Sequence, residues 1–165
     1  MYMQFQYTLQ KEEYLNYCKF ELLNDPDIRK LRKRALPSLP VGLIFVFIIF
    51  RFTHWLFYVG AVVLSLAWIY VVDRMVARIV VVGARDKCEK IGNKAYKPID
   101  LVLDEGELRV NGTKQTLAGY RIFMNLILLF IKEGSTVILP ARVIGGEDAE
   151  HVSPVILALD QCKEK

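Results

Sequence analysis

The imidazoles and thiols of this 165-residue sequence are few: His54, His151, Cys18, Cys88 and Cys162. A zinc cage draws its ligands from closely spaced Cys or His pairs, and no such spacing is present. Three widely separated cysteines also exclude a disulfide framework and fit a reducing compartment. His54 stands beside Trp55 and reads as an interfacial side chain, while His151 lies far along the chain in a polar loop. Cys18 and Cys162 fall on apolar faces of expected helices and read as small core hydrophobes. Cys88 stands among Arg85, Lys87 and Lys90, whose charge favours a thiolate, so a reactive or palmitoylated thiol is the sharper reading and a structural thiol the plainer one. Carboxylates gather at Asp104, Glu105 and Glu107 and again at Glu147, Asp148 and Glu150. Neither group has the regular alternation of a calcium loop, and acid–base work also requires a pocket around the pair. Gly145-Gly146 lacks the lysine of a phosphate loop, and no GxSxG or GxGxxG occurs. The expectation is a non-enzymatic protein with no catalytic residue, cofactor or metal.

The composition says where such a protein resides. Apolar residues make up 53% and aromatic residues 12%, which excludes a disordered chain. The net charge of +4 is partitioned. Residues 1–34 carry seven basic and five acidic side chains, residues 73–97 seven and three, and residues 98–165 seven and ten. Residues 35–72 hold one basic residue, Arg51, and no acid. The basic excess brackets an apolar middle, which is not the layout of a nucleic-acid groove, and no nucleic-acid partner is expected.

The middle contains two runs. Residues 55–72 lack any charge and would rise about 27 Å as a helix, close to the hydrocarbon thickness of a bilayer. They are apolar on every side, whereas a soluble surface helix keeps a polar face. Residues 35–52 form a second span completed by Phe52 and a snorkelling Arg51. Only Arg51, Phe52, Thr53 and His54 separate the runs, so the spans form a tight hairpin. A cleavable signal peptide does not fit, because the first run begins too far from the N-terminus. Pro37 and Pro40 are expected in the first turns of the first span, where a missing N–H costs little.

Arg29, Lys30, Arg32, Lys33 and Arg34 precede the hairpin; Arg74, Arg78, Arg85, Lys87, Lys90 and Lys94 follow it. The positive-inside rule then places both termini in the cytoplasm of a multi-pass inner-membrane protein. Among the polar side chains of the spans, Ser65 stands alone away from the ends, which argues against a pore or carrier. Gly60, Ala61 and Ser65 offer a small-residue seam for helix contact, within the hairpin or between copies.

The flanks read as one mixed unit. Residues 2–9 alternate apolar and polar as a half-buried strand does. Thr8 is expected to cap a helix that ends at Asn24-Asp25-Pro26-Asp27, with a basic helix from Ile28. After a juxtamembrane helix or linker, short strands follow from Pro98: residues 99–103, 107–110, 114–117, 120–124, 126–132 and 136–139. Asn111-Gly112 is a strong hairpin turn, because both positions tolerate positive φ. This explains Asn111-Gly112-Thr113 without glycosylation. Residues 126–131 are too short to span a membrane and read as a strand buried on both faces. Ser153-Pro154 begins a last helix.

The layout resembles that of the YcxB-like bacterial membrane proteins. The resemblance is carried by Leu103-Asp104-Glu105-Gly106-Glu107-Leu108-Arg109-Val110, by Tyr120 where that family more often has Trp, and by Leu139-Pro140-Ala141-Arg142. It implies a PH-like small β-barrel or sandwich with a C-terminal helix, and no catalytic residues. The expected organisation is therefore residues 1–34, an N-terminal strand, helix and basic flank; 35–72, the transmembrane hairpin; 73–97, a basic juxtamembrane segment; and 98–165, the PH-like module. The expected role is a membrane-held binding or scaffold module, with lipid around its spans and a protein partner or second copy on the module. Arg142, Arg121 and Lys132 are the candidate interaction residues. The alternative is an accessory subunit of a membrane enzyme or transporter.

Overall fold

The structure is a computed structural model that describes residues 2–50, 55–92, 96–104, 106–146 and 149–163. Arg51, Phe52, Thr53, His54, Lys94, Glu105, Glu147 and Asp148 lie outside the described residues. The fold is mixed helix and sheet. It divides into two compact units, one formed by Met1–Cys18 with Lys87–Lys165 and the other by Lys19–Asp86.

The first unit holds two antiparallel sheets. One has four strands in the order β1 (Met3–Thr8), β2 (Pro98–Asp104), β3 (Glu107–Val110) and β4 (Thr113–Gln115). The other has three, β5 (Leu117–Phe123), β6 (Leu126–Ile131) and β7 (Thr136–Pro140). The alternating N-terminal segment joins the C-terminal strands, with Met3 opposite Leu103 and Tyr7 opposite Ile99. A closed barrel is not formed: among the described residues no ladder joins the two sheets. The sheets are set by their turns. Asn111 and Gly112 take φ of 50° and 77°, and the Asn111 side chain accepts a hydrogen bond from the Asp100 amide at 2.9 Å. The strand expected at 114–117 is shorter, and Leu117 opens β5 instead, across a bulge opposite Ile131 and Phe130.

The core of this unit lies on β6. Leu126, Ile127, Leu128 and Leu129 are all buried, as a central strand covered on both faces requires. The last helix, α4 (Ala149–Lys163), begins before Ser153, with Pro154 in its second turn. It buries Val155, Ala158, Leu159 and Cys162 at helical spacing and lies against β5. Tyr120 on β5 hydrogen-bonds Asp160 on this helix; burial first, and then this carboxylate, hold the Tyr120 phenol above its ordinary pKa.

Helix α1 (Lys11–Asn24) is capped by Gln10 rather than Thr8. The Gln10 amide donates to Glu13 Oε2 at 2.7 Å, the returning half of a capping box, and Thr8 remains in β1.

The second unit is built on α2 (Pro26–Phe50) and α3 (Trp55–Ile91). Residue numbers rise along one helix as they fall along the other. Arg32 meets Asp73 at 2.9 Å, the Trp68 indole donates to the Ala35 carbonyl at 2.9 Å, and Phe47 lies 5.3 Å from Tyr58 ring to ring. The helices are therefore antiparallel. Val72, Val76 and Val80, each four residues on from the last, form the buried seam against Leu36 and Ile28. α2 starts eleven residues before Pro37, so both prolines are interior rather than first-turn positions. Each removes one backbone hydrogen bond from the helix.

Burial predicts the response to truncation. Leu128→Ala, at a position with no exposed surface, should lower unfolding stability by about 2–5 kcal/mol, whereas half-exposed Ile122→Ala on neighbouring β5 should cost under ~1 kcal/mol. Denaturant unfolding of the two variants in the same detergent, followed by circular dichroism, measures the contrast.

Candidate functional site

The first candidate surface is in the helical unit. Among the described residues one helix, α3, is long and apolar enough to cross a membrane, and only 6% of its most apolar window is buried. Exposed apolar side chains continue on α2, where Ile44, Phe45, Ile48 and Ile49 face outward. Because the helices run antiparallel with Arg32 beside Asp73, the charges before α2's apolar stretch and those after α3's collect at one end. Arg29, Lys30, Arg32, Lys33, Arg34, Arg74 and Arg78 are all exposed there. The structure thus brings the seven flanking basic residues together. Ser65, polar within the apolar stretch of α3, returns its hydroxyl to the Ala61 carbonyl at 2.8 Å.

The three basic residues singled out on the sheets do not converge. Lys132 follows the end of β6, beyond Ile131. Arg142 lies past Pro140, which pairs with Leu126 at the opposite end of the same sheet. Arg121 sits on β5 opposite Leu128, four residues before Lys132 and so roughly 13 Å from it along the strand.

Arg142 has a structural partner. Its guanidinium reaches Glu13 Oε1 through Nε at 2.5 Å, Glu13 Oε2 at 3.2 Å and the Thr8 carbonyl at 2.6 Å. The Glu13 side chain is only 4% exposed, and this ion pair with the Gln10 amide supplies its partners. Tyr7 completes the corner by donating to the Ile138 carbonyl at 2.6 Å. Burial first, and then the Glu13 charge, push the Tyr7 phenol far above its ordinary pKa. The Arg142 guanidinium is raised in turn by its hydrogen bond to Glu13. The sequence carried one sign of this arrangement: Glu13 stands three residues after Gln10 and ahead of an apolar run, the spacing of a capping box.

The second candidate surface is a cleft of about 570 Å3 in the sheet unit. Leu9, Ile99, Val110, Ile131, Val137 and Ile138 give it an apolar floor, and Tyr14 and Tyr17 stand over it from α1. Its polar groups are Asn111, Thr113, Gln115, Ser135 and Thr136, and no charged side chain lines it among the described residues. The Lys132 amide donates to the Thr116 carbonyl at 3.0 Å, continuing the β5–β6 pairing one step past Leu117 and Ile131, and the Tyr7 phenol links the two sheets at the Ile138 carbonyl. Burial first, and then the neighbouring Cys18, push the Tyr14 phenol above its ordinary pKa. Tyr96 meets Tyr14 edge-on, with ring centroids 6.4 Å apart. Nothing in the sequence pattern marks this cleft, because its residues come from seven separate segments.

Cys18 and Cys88 are buried with sulfurs 3.9 Å apart, and Cys162 is buried on α4. Burial of Cys88 supports the plainer structural reading of that thiol. Among the described residues no cluster of His, Cys, Asp and Glu could hold a metal. Glu107 is instead paired with Lys114 and Arg109, which hold its carboxyl below the usual range.

Two outcomes follow from the corner at Tyr7. Arg142→Ala strands Glu13 and should cost about 1–3 kcal/mol, while Glu13→Gln in the same background should recover part of that loss in a double-mutant cycle. The folded state holds the Tyr7 proton more tightly than the unfolded chain, whose tyrosine titrates near 10.0. The resulting stabilisation is complete below pH 10 and declines as pH rises above it, by up to about 1.4 kcal/mol per pH unit. Urea midpoints measured from pH 8 to pH 12 should fall, and Tyr7→Phe should flatten that fall. No family model, curated protein or solved structure matches the chain.

Proposed function

We propose that this is a multi-pass membrane protein in which α2 and α3 cross the bilayer as a hairpin and hold a PH-like binding module on the cytoplasmic side. The observation that carries the reading is the ladder between β1 and β2. The chain before α2 and the chain after α3 belong to one sheet, so they share one side of any membrane that α3 crosses. A single crossing would separate them. α2 is the helix available for the return, and its antiparallel contacts with α3 extend to Phe47 and Tyr58. The lipid-facing reading is supported by the exposed apolar band, since an aqueous surface rarely carries so large a patch. The basic collar at one end supports a cytoplasmic location for both termini.

For the PH-like reading we rely on the four and three antiparallel strands followed by a helix. The absence of a full barrel departs from it. The module's function is binding, with a protein or peptide taken at a sheet edge. Its acidic balance disfavours anionic lipid as the ligand.

Extraction and topology test the reading. The protein should remain in the membrane pellet through alkaline carbonate washing. A phosphatase fused at His54 should be active, and one fused after Lys165 inactive. Release by carbonate, or an active C-terminal phosphatase fusion, would overturn the proposal.

A further inference from the structure

The cleft of the sheet unit has a floor, two edges and an unsatisfied polar group, and together these specify an occupant. β7 is an outer strand, joined to β6 on one side only. Along it, Ser135 accepts from the Ile131 amide at 2.9 Å and the Ala141 amide donates to Asn125 at 2.8 Å, so odd-numbered residues turn their backbone groups toward β6. Strand alternation directs those of Thr136 and Ile138 the other way. The Ile138 carbonyl is taken by Tyr7, which leaves the Ile138 amide and both backbone groups of Thr136 directed from this edge. Thr136, Val137 and Ile138 all line the cleft.

Gln115 supplies the second observation. Its Oε1 is buried and has no hydrogen-bond partner among the described residues. A buried acceptor without a donor costs about 1–3 kcal/mol, and a ligand amide reached by rotation of this side chain relieves that cost. Gln115 also lines the cleft, from the outer strand β4 of the other sheet. The remaining polar lining is hydroxyl and amide, so a charged ligand would lose hydration without gaining a counter-charge.

We infer that the cleft binds a short, extended, uncharged peptide segment of a partner, which adds to the outer edge of β7 at Thr136 and Ile138, donates an amide hydrogen to Gln115 and lays an apolar or aromatic side chain under Tyr14 and Tyr17. Backbone pairing at an open strand edge supplies the affinity, and the neutral pocket supplies selectivity. The inference rests on the reading of this unit as a peptide-binding module and is independent of how α2 and α3 are anchored.

The test is titration of the full chain in nanodiscs with blocked tripeptides, followed by backbone amide resonances. Acetyl-Val-Tyr-Val-amide should shift the Thr136 and Ile138 amides and slow their hydrogen exchange. The same peptide with methylated backbone nitrogens should bind at least tenfold more weakly, because it cannot pair with a strand. Acetyl-Glu-Tyr-Glu-amide and acetyl-Lys-Tyr-Lys-amide should likewise bind at least tenfold more weakly. Gln115→Leu removes the buried acceptor at similar size, should leave the spectrum otherwise folded, and should weaken the neutral peptide about tenfold. Thr113→Trp, at the exposed start of β4, should block the cleft if the first variant does not fold. No shift at Thr136 or Ile138 up to the solubility limit overturns the inference. So does equal binding of the methylated or charged peptides, or binding unchanged in a folded Gln115→Leu. Carbonate extraction fails separately if the membrane reading is wrong, so the two proposals can be told apart.

Discussion

One pairing constrains everything else: residues 3–8 lie in register with residues 98–103 across a gap of some ninety residues. Closing so long a loop costs conformational entropy that grows only slowly with length, so the length itself is tolerable. What the pairing demands is a return. A chain that leaves β1 must come back to β2 beside it. Two helices packed antiparallel are the simplest excursion that begins and ends in one place. The buried valine seam on α3, the Arg32–Asp73 pair and the Trp68–Ala35 hydrogen bond each secure that geometry from within the helical unit. The ladder and the helix pair are thus two solutions to a single topological requirement.

The ladder needs further support, because β1 is an outer strand with one partner. Outer strands are the weak points of sheets. Here the other flank of β1 is held by side chains instead of a ladder. Tyr7 reaches the Ile138 carbonyl on β7, and Arg142 binds the Thr8 carbonyl at the strand's end. Glu13, one turn into α1, holds both Arg142 and the amide that starts its own helix. A buried carboxylate with a half-exposed guanidinium is a costly device, and its value lies in geometry rather than net energy. It fixes where the strand ends and where α1 begins.

These devices differ in how far the amino-acid order reveals them. The alternation at Met3, Phe5 and Tyr7 marks β1, and Asn111-Gly112 marks the β3–β4 turn, because both depend on neighbours in sequence. The charge-free run at 55–72 is equally plain. Which residue caps α1 was not, since Thr8 and Gln10 differ only in whether the strand has already ended. Pro37 and Pro40 mislead for a related reason: a proline suggests a helix start, yet here the helix is already held by contacts such as Trp68 with Ala35. Arg142 reads as a free cation in sequence because nothing local announces Glu13, 129 residues away. The cleft is invisible for the same cause, being assembled from distant segments.

Leaving the barrel open has a physical consequence. A closed barrel satisfies every edge and fills its interior with side chains. Here no ladder joins the two sheets among the described residues, and the Tyr7 phenol bonds across them to the Ile138 carbonyl. That bond uses a phenol where a strand would use an amide, and a phenol reaches farther. That reach holds β1 and β7 apart while still satisfying the Ile138 carbonyl. The cleft lies beside Thr136 and Ile138 on this same strand. The corner is thus held by a tyrosine side chain at a place where no ladder pairs β1 with β7.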